Sequence, residues 1–558
     1  MKFSLSCFFV LFALCIQSQN TVGLISYNAS KTYDGYNLLF PHNQPDIFLL
    51  NNCGEIVHTW EGEPNSRPGN TAYLREDGRI VKTSRDGDIT QDAIWRGGGG
   101  ANIEIRDWDN NLEWSYSLND SLFRLHHDIA IIEKGNNEFN ILMIAWEAKN
   151  LGEVIAAGRD TSVLETDQLW PDFIREIDPA SDEIVWEWHA WDHLVQERDS
   201  MLANYGVVAE SPGKIDINYD FDGSGDPDWM HSNAIDFDPI NNNILLSVPT
   251  FSEIWIIDHT TTTEQAATSF GGFGNRGGDL MFRWGNPQVY NNGTEEDRKL
   301  FYQHDPHFID EFVEVFDPNF GRILLFNNRV TDSTSSVNSL NPGFDMYDWA
   351  YPFSDGTFGP DDFSFEFFYP DDTTRLHSTG LSSAQYLDNG NYLITVGRVG
   401  YSFEITPDNE IVWEYITPRI GMAPATQGDT LSINQNLTFR LKRYPPEYGA
   451  FEGRDLTPKG WIELEPNTTY CDQLIPTIDL FESLGLEIYP NPADNMITLE
   501  WEAGIYVDIE VYNLQGQQML EPLRLSGGRK YLDTSSWVNG IYVVRVNQKD
   551  AGKFLIVR

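Results

Sequence analysis

The sequence predicts an all-β protein, with a six-bladed β-propeller followed by a small C-terminal β-sandwich. Short apolar runs alternate with turns rich in Gly, Asn, Asp and Pro from about residue 20 to about residue 470. A degenerate phrase of several strands recurs within this stretch. After residue 485 the strands become shorter and alternate more regularly between apolar and polar residues. These three observations place the propeller at 20–473, a linker at 474–484 and the second domain at 485–558.

The predicted strands of the main domain are runs of β-branched and aromatic residues bounded by turn residues. They are Tyr36–Phe40, Ile47–Leu50, Ile56–Trp60, Phe139–Trp146, Ile184–Trp188, Ile244–Val248, Glu253–Ile257, Ile323–Phe326, Tyr392–Val396 and Ile411–Tyr415.

The repeat gives these strands their arrangement. Residues 183–187 and 410–414 both read Glu-Ile-Val-Trp-Glu, and each follows a turn and two further strand-like runs. A period of roughly 40–60 residues with several strands per repeat is typical of a propeller, and six blades fit about 450 residues. A β-helix would need a shorter and more even period. Because the innermost strands of a propeller surround a central channel, residues far apart in sequence can meet at one of its mouths.

Composition narrows the range of partners. The 558 residues include 37 basic and 84 acidic side chains, which gives a formal net charge of −47. Such a chain repels phosphate, so the composition argues against nucleic acid and against an anionic membrane surface as partners. An anionic substrate would need a local cationic pocket, which makes the histidines and arginines informative.

The N-terminus has the pattern of a signal peptide covering residues 1–19. Met1 and Lys2 form a basic start, Phe3–Ile16 is apolar, and Gln17–Gln19 offers a cleavage site. The apolar run is too short to cross a membrane, and no later stretch qualifies, so we expect an exported protein with no transmembrane segment.

The cysteines indicate one disulfide. Cys7 and Cys15 lie in the predicted signal, which leaves Cys53 and Cys471. Two cysteines in an exported protein favour a disulfide, here between the start and the end of the main domain. The alternative is a pair of unrelated buried thiols.

Three histidine phrases precede apolar runs: residues 126–128 (His-His-Asp), 228–233 (Asp-Trp-Met-His-Ser-Asn) and 303–305 (Gln-His-Asp). A histidine at the start of a strand, with an amide two residues later on the same face, suits the binding of an anion. We expect the three phrases to converge on one pocket. The alternative is that each histidine bonds to its neighbouring aspartate in a turn; Asp128 and Asp305 could orient the adjacent imidazoles or simply cap turns.

These phrases, in combination, resemble the bacterial arylsulfotransferase family over residues 25–470. The resemblance rests on Leu125-His126-His127-Asp128-Ile129, Asp228-Trp229-Met230-His231-Ser232-Asn233-Ala234, Phe251-Ser252-Glu253-Ile254-Trp255-Ile256-Ile257-Asp258, Trp284-Gly285-Asn286-Pro287-Gln288 and Gln303-His304-Asp305.

The resemblance implies a six-bladed propeller that moves a sulfuryl group from an aryl sulfate ester to a phenol. The implied route is ping-pong through a sulfated histidine and uses neither a nucleotide sulfate donor nor a cofactor. Matched phrase by phrase, the nucleophile is His304, and His127 and His231 are the acid/base and anion-stabilising histidines. Asn233 is implied as a donor to the sulfuryl oxygens.

The sequence departs from the family at one position. Pro249 stands where the family has an arginine after the His-x-Asn phrase. Loss of one donor to a developing anion typically costs a factor of roughly 10²–10³ in rate. Arg329 or Arg398 could replace it as a substrate-binding group, or the donor is not an aryl sulfate. Otherwise the protein is a catalytically silent, secreted propeller that binds a ligand or glycan at the channel mouth.

One loop has the alternating carboxylates and glycines of a calcium site. Asp220, Asp222 and Asp226 are the candidate ligands, although the loop lacks the terminal bidentate glutamate of an EF-hand. The alternative is a solvated, Asp-rich turn. Structural calcium is the one metal that the sequence raises as a possibility.

The tail resembles the C-terminal sorting domain of the type IX secretion system. Residues 489–493 read Tyr-Pro-Asn-Pro-Ala, residues 540–542 read Gly-Ile-Tyr, and the chain ends in a basic segment with Lys553 and Arg558. The predicted strands of this domain are Met496–Trp501, Ile509–Asn513, Ile541–Val546 and Phe554–Val557. The resemblance implies the type IX secretion machinery as a partner, followed by secretion or attachment to the outer cell surface.

Overall fold

A computed structural model describes residues 19–42, 44–63, 66–85, 89–474, 486–501, 507–513, 517–525, 528–546 and 549–558. Except for residues 19 and 474, the predicted signal peptide and linker lie outside these ranges. Contacts within the chain divide it into two compact units, Met1–Leu474 and Ile475–Arg558.

The first unit is a β-propeller, as predicted. Six antiparallel sheets in its described part form the blades, and the innermost strand of each blade contacts the innermost strands of its neighbours. From the innermost strand outward, the blades are Thr438–Tyr444, Tyr36–Pro41, Ile47–Leu50 and Ile56–Trp60 (first); Arg67–Leu74, Ile80–Arg85, Asn102–Arg106 and Leu112–Ser117 (second); Phe123–Gly135, Glu138–Glu147, Asp172–Asp178 and Glu183–His189 (third); Ala234–Asp238, Asn243–Val248, Glu253–Asp258 and Phe282–Trp284 (fourth); His304–Phe308, Ile323–Thr331, Thr334–Leu340 and Phe365–Phe367 (fifth); Ser383–Tyr386, Tyr392–Val396, Tyr401–Ile405 and Ile411–Ile416 (sixth).

Shorter elements connect these strands. The α-helices are Leu151–Ala156, Thr263–Ala266 and Tyr470–Leu474, and the 3₁₀ turns are Ile89–Gln91, Thr161–Val163, Ala190–His193, Val208–Glu210, Pro287–Tyr290, Glu295–Asp297, Thr373–Leu376, Gly397–Val399 and Gly449–Phe451. Two-residue strands pair as Lys149–Asn150 with Gln168–Leu169, Leu194–Val195 with Ile215–Asp216, Phe353–Ser354 with Thr357–Phe358, and Arg419–Ile420 with Ala423–Pro424. None of the helices in the described ranges is long and apolar enough to span a membrane.

Segments from both ends of the unit close the ring. The C-terminal strand Thr438–Tyr444 is the innermost strand of the first blade, and the N-terminal strand Gly23–Tyr27 adds a fifth, outer strand to the sixth. The predicted disulfide is confirmed: Cys53 in the first blade is bonded to Cys471, with 5.5 Å between the two Cα atoms. The disulfide holds the last helix of the unit against the start of the ring.

Packing between blades explains why many strands are continuously apolar. In Glu253–Asp258, Ile254 and Ile256 pack into a core shared with the fifth blade, whereas Trp255 and Ile257 pack into a core shared with the third. Both faces of the strand are therefore buried, which removes the polar alternation of a one-sided sheet.

The second unit is β-rich, as predicted, and consists of two sheets. One contains Glu487–Tyr489, Met496–Glu500 and Arg529–Asp533, and the other contains Gln518–Leu525, Val507–Asn513, Gly540–Val546 and Lys549–Ile556. Their shared core includes Leu499 and Leu532 from the first sheet and Ile509, Val544 and Phe554 from the second. The sequence pattern missed Glu487–Tyr489, Gln518–Leu525 and Arg529–Asp533.

Candidate functional site

The three predicted histidines lie together where inner strands of the propeller begin. His127 belongs to the third blade, His231 precedes the fourth, and His304 is the first residue of the fifth. The ring centroids of His127 and His231 are 4.6 Å apart. The Tyr302 ring centroid lies 6.0 Å from that of His231 and 6.1 Å from that of His304. The structure therefore brings the three phrases into one cluster.

Unusual backbone conformations occur in each of the three phrases. His127, His231 and Asp305 have φ angles of 51°, 52° and 56°, in the left-handed region that residues other than glycine seldom adopt. The pairing register also shifts opposite His127 and between His304 and His307. A bulge of this kind re-aims a side chain out of the regular alternation. Left-handed non-glycine residues clustered at a channel are a mark of a functional site.

A glycine makes room for His127. Gly98 has a φ of +82°, and its carbonyl accepts a hydrogen bond from the His127 amide over 2.8 Å. A Cβ atom at Gly98 would lie 2.0 Å from Nε2 of His127. Any side chain there would displace the imidazole. The run of four glycines at 97–100 was the sequence signal for this contact, and the sequence prediction did not use it.

A buried carboxylate connects the loops of His127 and His231. Nδ1 of His126 lies 2.9 Å from Nδ1 of His127, and Nε2 of His126 lies 3.2 Å from Oδ1 of Asp172. The other oxygen of Asp172 accepts a hydrogen bond from the amide of Ser232 over 2.9 Å. No sequence motif marks Asp172, because its role depends on the packing of two blades.

His231 has its own carboxylate partner. Nδ1 of His231 donates to Oδ2 of Asp228 over 2.5 Å. Burial disfavours the charged imidazole, but the attraction of Asp228 outweighs burial and raises the pKa of His231. His231 is therefore the histidine of the cluster that most readily carries a proton.

His304, in contrast, favours the neutral form of its imidazole. Burial, together with repulsion from His231 and Arg329, lowers the pKa of His304 to about 3. The side-chain amide of Asn328 donates to the carbonyl groups of Ser378 and Leu381, so its Oδ1 atom accepts from Nδ1–H of His304 over 2.8 Å. The proton on Nδ1 leaves the lone pair on Nε2, and within the described residues Nε2 makes no hydrogen bond.

His127 is also held neutral. Burial and the neighbouring imidazoles of His231, His126 and His304 lower its pKa well below the ordinary value. Two neutral histidines thus stand beside one that favours the charged form. Environments that push the pKa values of neighbouring groups apart are typical of acid and base assignments in active sites.

Arg329 and Arg398 border the same cluster. Nε of Arg329 donates to the carbonyl of Thr379 over 2.9 Å, and its guanidinium carbon lies 3.8 Å from the Tyr302 ring centroid. A Cβ atom at Gly380 would lie 3.3 Å from Nη2 of Arg398 and 3.7 Å from Cε1 of His304.

Neither arginine is neutralised by a carboxylate in the described ranges. Nη1 of Arg398 donates to the amide oxygen of Asn434 over 3.2 Å, and its buried Nε atom has no partner there. By contrast, the fully buried Arg283 and Arg443 pair with Glu253 and Glu404. Two guanidinium groups without a carboxylate partner in the described ranges therefore lie beside the histidines.

Asn233 forms a contact between two blades. Asn233 is fully buried, and its amide nitrogen donates to the carbonyl of Gln303 over 2.8 Å, which links the fourth and fifth blades. Its role as a donor to substrate stays a prediction.

Pro249 lies in a turn closed by the amide of Ser252, and the hydroxyl of Thr250 in that turn donates to the carbonyl of Met230 over 2.7 Å. The turn supports the loop of His231 from behind.

The Asp-rich loop lies at the same mouth, next to His231 and Tyr302. Its carboxylates already have protein partners: Asp220 pairs with Arg159 and Asp226 pairs with Arg96, each at 3.0 Å, and Asp222 accepts from the amide of Ser224. The described ranges contain no group of three or more His, Cys, Asp or Glu side chains placed to hold a metal ion. Structural calcium at Asp220, Asp222 and Asp226 stays a prediction.

Neither Asp128 nor Asp305 forms a hydrogen bond with the imidazole of the histidine that precedes it. Both carboxylates bind the guanidinium of Arg440, and Asp128 also accepts from the hydroxyl of Tyr73 over 2.8 Å. The idea that each fixes its neighbour's tautomer is wrong, because the His126 ring contacts Nδ1 of His127 and Asn328 contacts Nδ1 of His304.

Two family models match parts of the chain. Residues 70–343 match the family described as Arylsulfotransferase (ASST), and this range contains His127, His231, His304 and Arg329. Residues 487–558 match the Secretion system C-terminal sorting domain. Both resemblances noted in the sequence are therefore confirmed. No curated protein matches the chain significantly.

Solved structures similar to this chain are distant. A protein of unknown function from Bacteroides caccae is 10% identical, covering 68% of this chain and 93% of its own, with a TM-score of 0.35. The periplasmic gluconolactonase of Pseudomonas aeruginosa is 7% identical, covering 73% and 98%, with a TM-score of 0.34. Virginiamycin B lyase from Staphylococcus aureus is 11% identical, covering 70% and 88%, with a TM-score of 0.29. Likenesses this weak say nothing about function.

The two family matches support a function in general terms. The arylsulfotransferase domain supports aryl sulfotransfer in general. The sorting domain indicates export, with secretion or attachment at the cell surface.

Proposed function

Because residues 70–343 match the arylsulfotransferase family, we propose that the propeller transfers a sulfuryl group from an aryl sulfate ester to a phenolic acceptor. No nucleotide sulfate donor takes part. The observation that carries this proposal is that two clustered histidines have different partners at Nδ1: a carboxylate of Asp228 for His231 and an amide oxygen of Asn328 for His304. His304 is neutral with a free lone pair on Nε2, and His231 is biased toward the imidazolium form by Asp228.

In the first half-reaction, Nε2 of His304 attacks the sulfur atom of the aryl sulfate. A bond forms between that nitrogen and sulfur, and the bond between sulfur and the aryl oxygen breaks with its electron pair leaving on the oxygen. The imidazolium of His231 gives its proton to the aryloxide, which departs as a phenol. A covalent intermediate of this kind divides one difficult transfer into two easier steps.

In the second half-reaction, His231 is neutral and acts as the base. It removes the hydroxyl proton of the acceptor phenol while the phenol oxygen attacks sulfur. The nitrogen–sulfur bond breaks, and its electron pair returns to Nε2 of His304. The site is then in its starting protonation state, and the alternation of donor and acceptor is a ping-pong scheme.

Arg329 and Arg398 supply the positive charge that Pro249 cannot. The sulfuryl group carries negative charge on its non-bridging oxygens during transfer, and preorganised donors at such positions are usually the largest catalytic contribution. Arg398 borders the space next to His304, and Arg329 is held over Tyr302, whose ring centroid lies 6.0 Å from that of His231 and 6.1 Å from that of His304. Neither guanidinium is neutralised by a carboxylate in the described ranges.

Rapid mixing with a chromogenic aryl sulfate, with and without a phenol acceptor, tests this proposal. We expect a burst of one phenol per active site without acceptor and continuous turnover with it. His304→Ala should abolish the burst. Arg329→Met and Arg398→Met should each slow it by a factor of about 10²–10³. Arg322→Met is a matched control, because Arg322 lies at the start of a fifth-blade strand and not at this mouth. An undiminished burst in the His304 variant would reject the mechanism.

The alternative is a propeller that binds a ligand at the same mouth without chemistry. The observation favouring it is Pro249, which removes the family arginine. A wild-type protein that binds an aryl sulfate in calorimetry but releases no phenol would support this alternative.

The sorting domain extends the proposal to a partner. We infer that the type IX secretion machinery recognises the C-terminal unit, whose residues 487–558 match the sorting-domain family. Substrates would then be met outside the cell or at its surface.

A further inference from the structure

Arg440 reaches into the channel from the innermost strand of the first blade, Thr438–Tyr444. Its Nε atom donates to Oδ1 of Asp305 over 2.8 Å, and its Nη2 atom lies 3.2 Å from Oδ2 of Asp128. Nη1 donates to the hydroxyl oxygen of Tyr73, and that hydroxyl donates to Asp128. One guanidinium therefore joins side chains from the first, second, third and fifth blades.

The two carboxylates bound by Arg440 directly follow two histidines of the candidate site. Asp128 follows His127, and Asp305 follows His304. The backbone is left-handed at His127 (φ 51°) and at Asp305 (φ 56°), so each of these short segments is held in a conformation that it would not favour alone. Contacts that fix Asp128 and Asp305 therefore also fix the backbone from which the two imidazoles project.

Burial makes this link difficult to replace. Asp128 and Asp305 are 0% and 3% exposed. Burial and the charge of Asp305 raise the pKa of Asp128, while the Arg440 guanidinium opposes this rise. Without Arg440, two buried carboxylates would be left uncompensated in one channel, which is strongly unfavourable. The segments carrying them would have to move or take up protons.

Arg440 and His231 line different cavities. Arg440 lines a cavity with Tyr73, Asp236 and His307, whereas His231, Tyr302 and Arg329 line a separate one. The two cavities have no lining residue in common.

We propose that Arg440 is a positioning residue that sets the placement of His127 and His304 relative to each other by binding Asp128 and Asp305 together. It acts through these carboxylates and does not touch the sulfuryl group. The kinetic consequence of this proposal depends on the proposed sulfotransfer. The structural consequence does not.

The test compares Arg440→Met with Arg443→Met. Arg443 lies on the same strand, is also fully buried, and pairs with Glu404 and Asn37 away from the three site histidines, so its loss is a matched control. Side-chain signals of histidine-labelled protein are recorded by NMR without ligand, with His127 and His304 assigned by His127→Gln and His304→Gln. We expect Arg440→Met to shift both signals and Arg443→Met to shift neither.

Kinetics provide the second readout. We expect Arg440→Met to slow the phenol burst at least tenfold, with a smaller change in KM for the aryl sulfate, because the anion-binding arginines remain in place. Arg440→Lys should restore part of the rate, since an ammonium group can neutralise one carboxylate but cannot span two. Arg443→Met should retain the wild-type burst rate.

Unchanged His127 and His304 signals in folded Arg440→Met would overturn the proposal, whatever the turnover. If that variant does not fold, Asp128→Asn and Asp305→Asn are measured separately. Each should shift the signals of both histidines, and a shift confined to the adjacent histidine would overturn the proposal. A wild type without any phenol burst would reject the proposed sulfotransfer alone, since the NMR comparison would still decide the role of Arg440.

Discussion

Oδ2 of Asp228 accepts a hydrogen bond from Nδ1 of His231 over 2.5 Å, and both side chains lie at the mouth next to Tyr302. This pair separates the protonation of His231 from that of His304 and His127. Burial lowers the pKa of the latter two, whereas the carboxylate of Asp228 overcomes burial at His231. The proposed division into nucleophile and acid depends on this difference.

Asp228→Asn should move the pH dependence of the first half-reaction. The folded pKa of His231 lies above its ordinary value of 6.5, so its imidazolium is present below that value and is lost as pH rises through the raised pKa. The burst rate should therefore fall as pH rises through the raised pKa of His231. The stability that the His231–Asp228 pair contributes should be lost over the same pH range. In Asp228→Asn, burial determines the pKa of His231, so the fall in burst rate should occur at lower pH. Burst rates measured over a pH series check this.

Asp222→Asn is the control for that experiment. Asp222 lies in the same loop, but it accepts a hydrogen bond from Ser224 and forms none with a histidine of the described residues. The Asp222→Asn variant should lose its burst rate at the same alkaline pH as the wild type. A fall in burst rate at the same pH in Asp228→Asn and the wild type would show that His231 is not the acid.

Gly98→Ala should displace His127. The new methyl group would lie 2.0 Å from Nε2 of the imidazole, at a residue whose φ is +82°. Gly135→Ala is a close control, because Gly135 has a φ of +81° but no atom within 4 Å of the position that a Cβ would take. Both variants should lose about 1–2 kcal/mol of stability from the left-handed backbone. The burst rate should fall in Gly98→Ala alone, and equal rates in the two variants would contradict the role of Gly98.

Much of the fold could be predicted because it depends on local pattern. The strands Ile47–Leu50, Ile56–Trp60 and Tyr392–Val396 have the predicted bounds, since turn residues delimit apolar runs on either side. The inner strand Phe123–Gly135 was not predicted as a strand. Buried polar residues such as His126 and Asp128 interrupt the apolar alternation that marks ordinary strands.

The site was only partly predictable. His127, His231 and His304 belong to phrases and were found, but Asp172, Asn328 and Arg440 belong to none. Their partners are 46, 24 and 135 residues or more distant in sequence, and only the closed ring brings them into contact. The same holds for Asp128 and Asp305, whose true partner comes from the C-terminal strand of the unit.

Removal of the disulfide should weaken the closed ring. Cys53 and Cys471 are 418 residues apart, so their bond constrains a very long loop of the unfolded chain. The double variant Cys53→Ser/Cys471→Ser should lose about 2–4 kcal/mol in free energy of unfolding. Chemical unfolding of the variant and the wild type without a reductant measures this difference. Tyr470→Phe, which removes one hydrogen bond from the same helix to the carbonyl of Ile25, should cost about 1 kcal/mol. Equal stability of the double variant and the wild type would contradict a structural role for the bond.

Deletion of residues 487–558 should prevent passage from the periplasm to the outside of the cell without affecting the propeller. The sorting-domain match covers this segment, and contacts within the chain assign it to a separate unit. The truncated protein should accumulate in the periplasm, as detected by cell fractionation, and retain the phenol burst. Normal appearance outside the cell would contradict the sorting role.

The proposed mechanism requires His304 to carry the sulfuryl group between donor and acceptor. Mass spectrometry of the peptide containing His304 detects that group directly, after brief exposure to an aryl sulfate without acceptor and under conditions that preserve a nitrogen–sulfur bond. We expect one added sulfuryl group on His304, lost when a phenol is supplied. Phenol release with no modification of His304, or with the group on another residue, would contradict the mechanism.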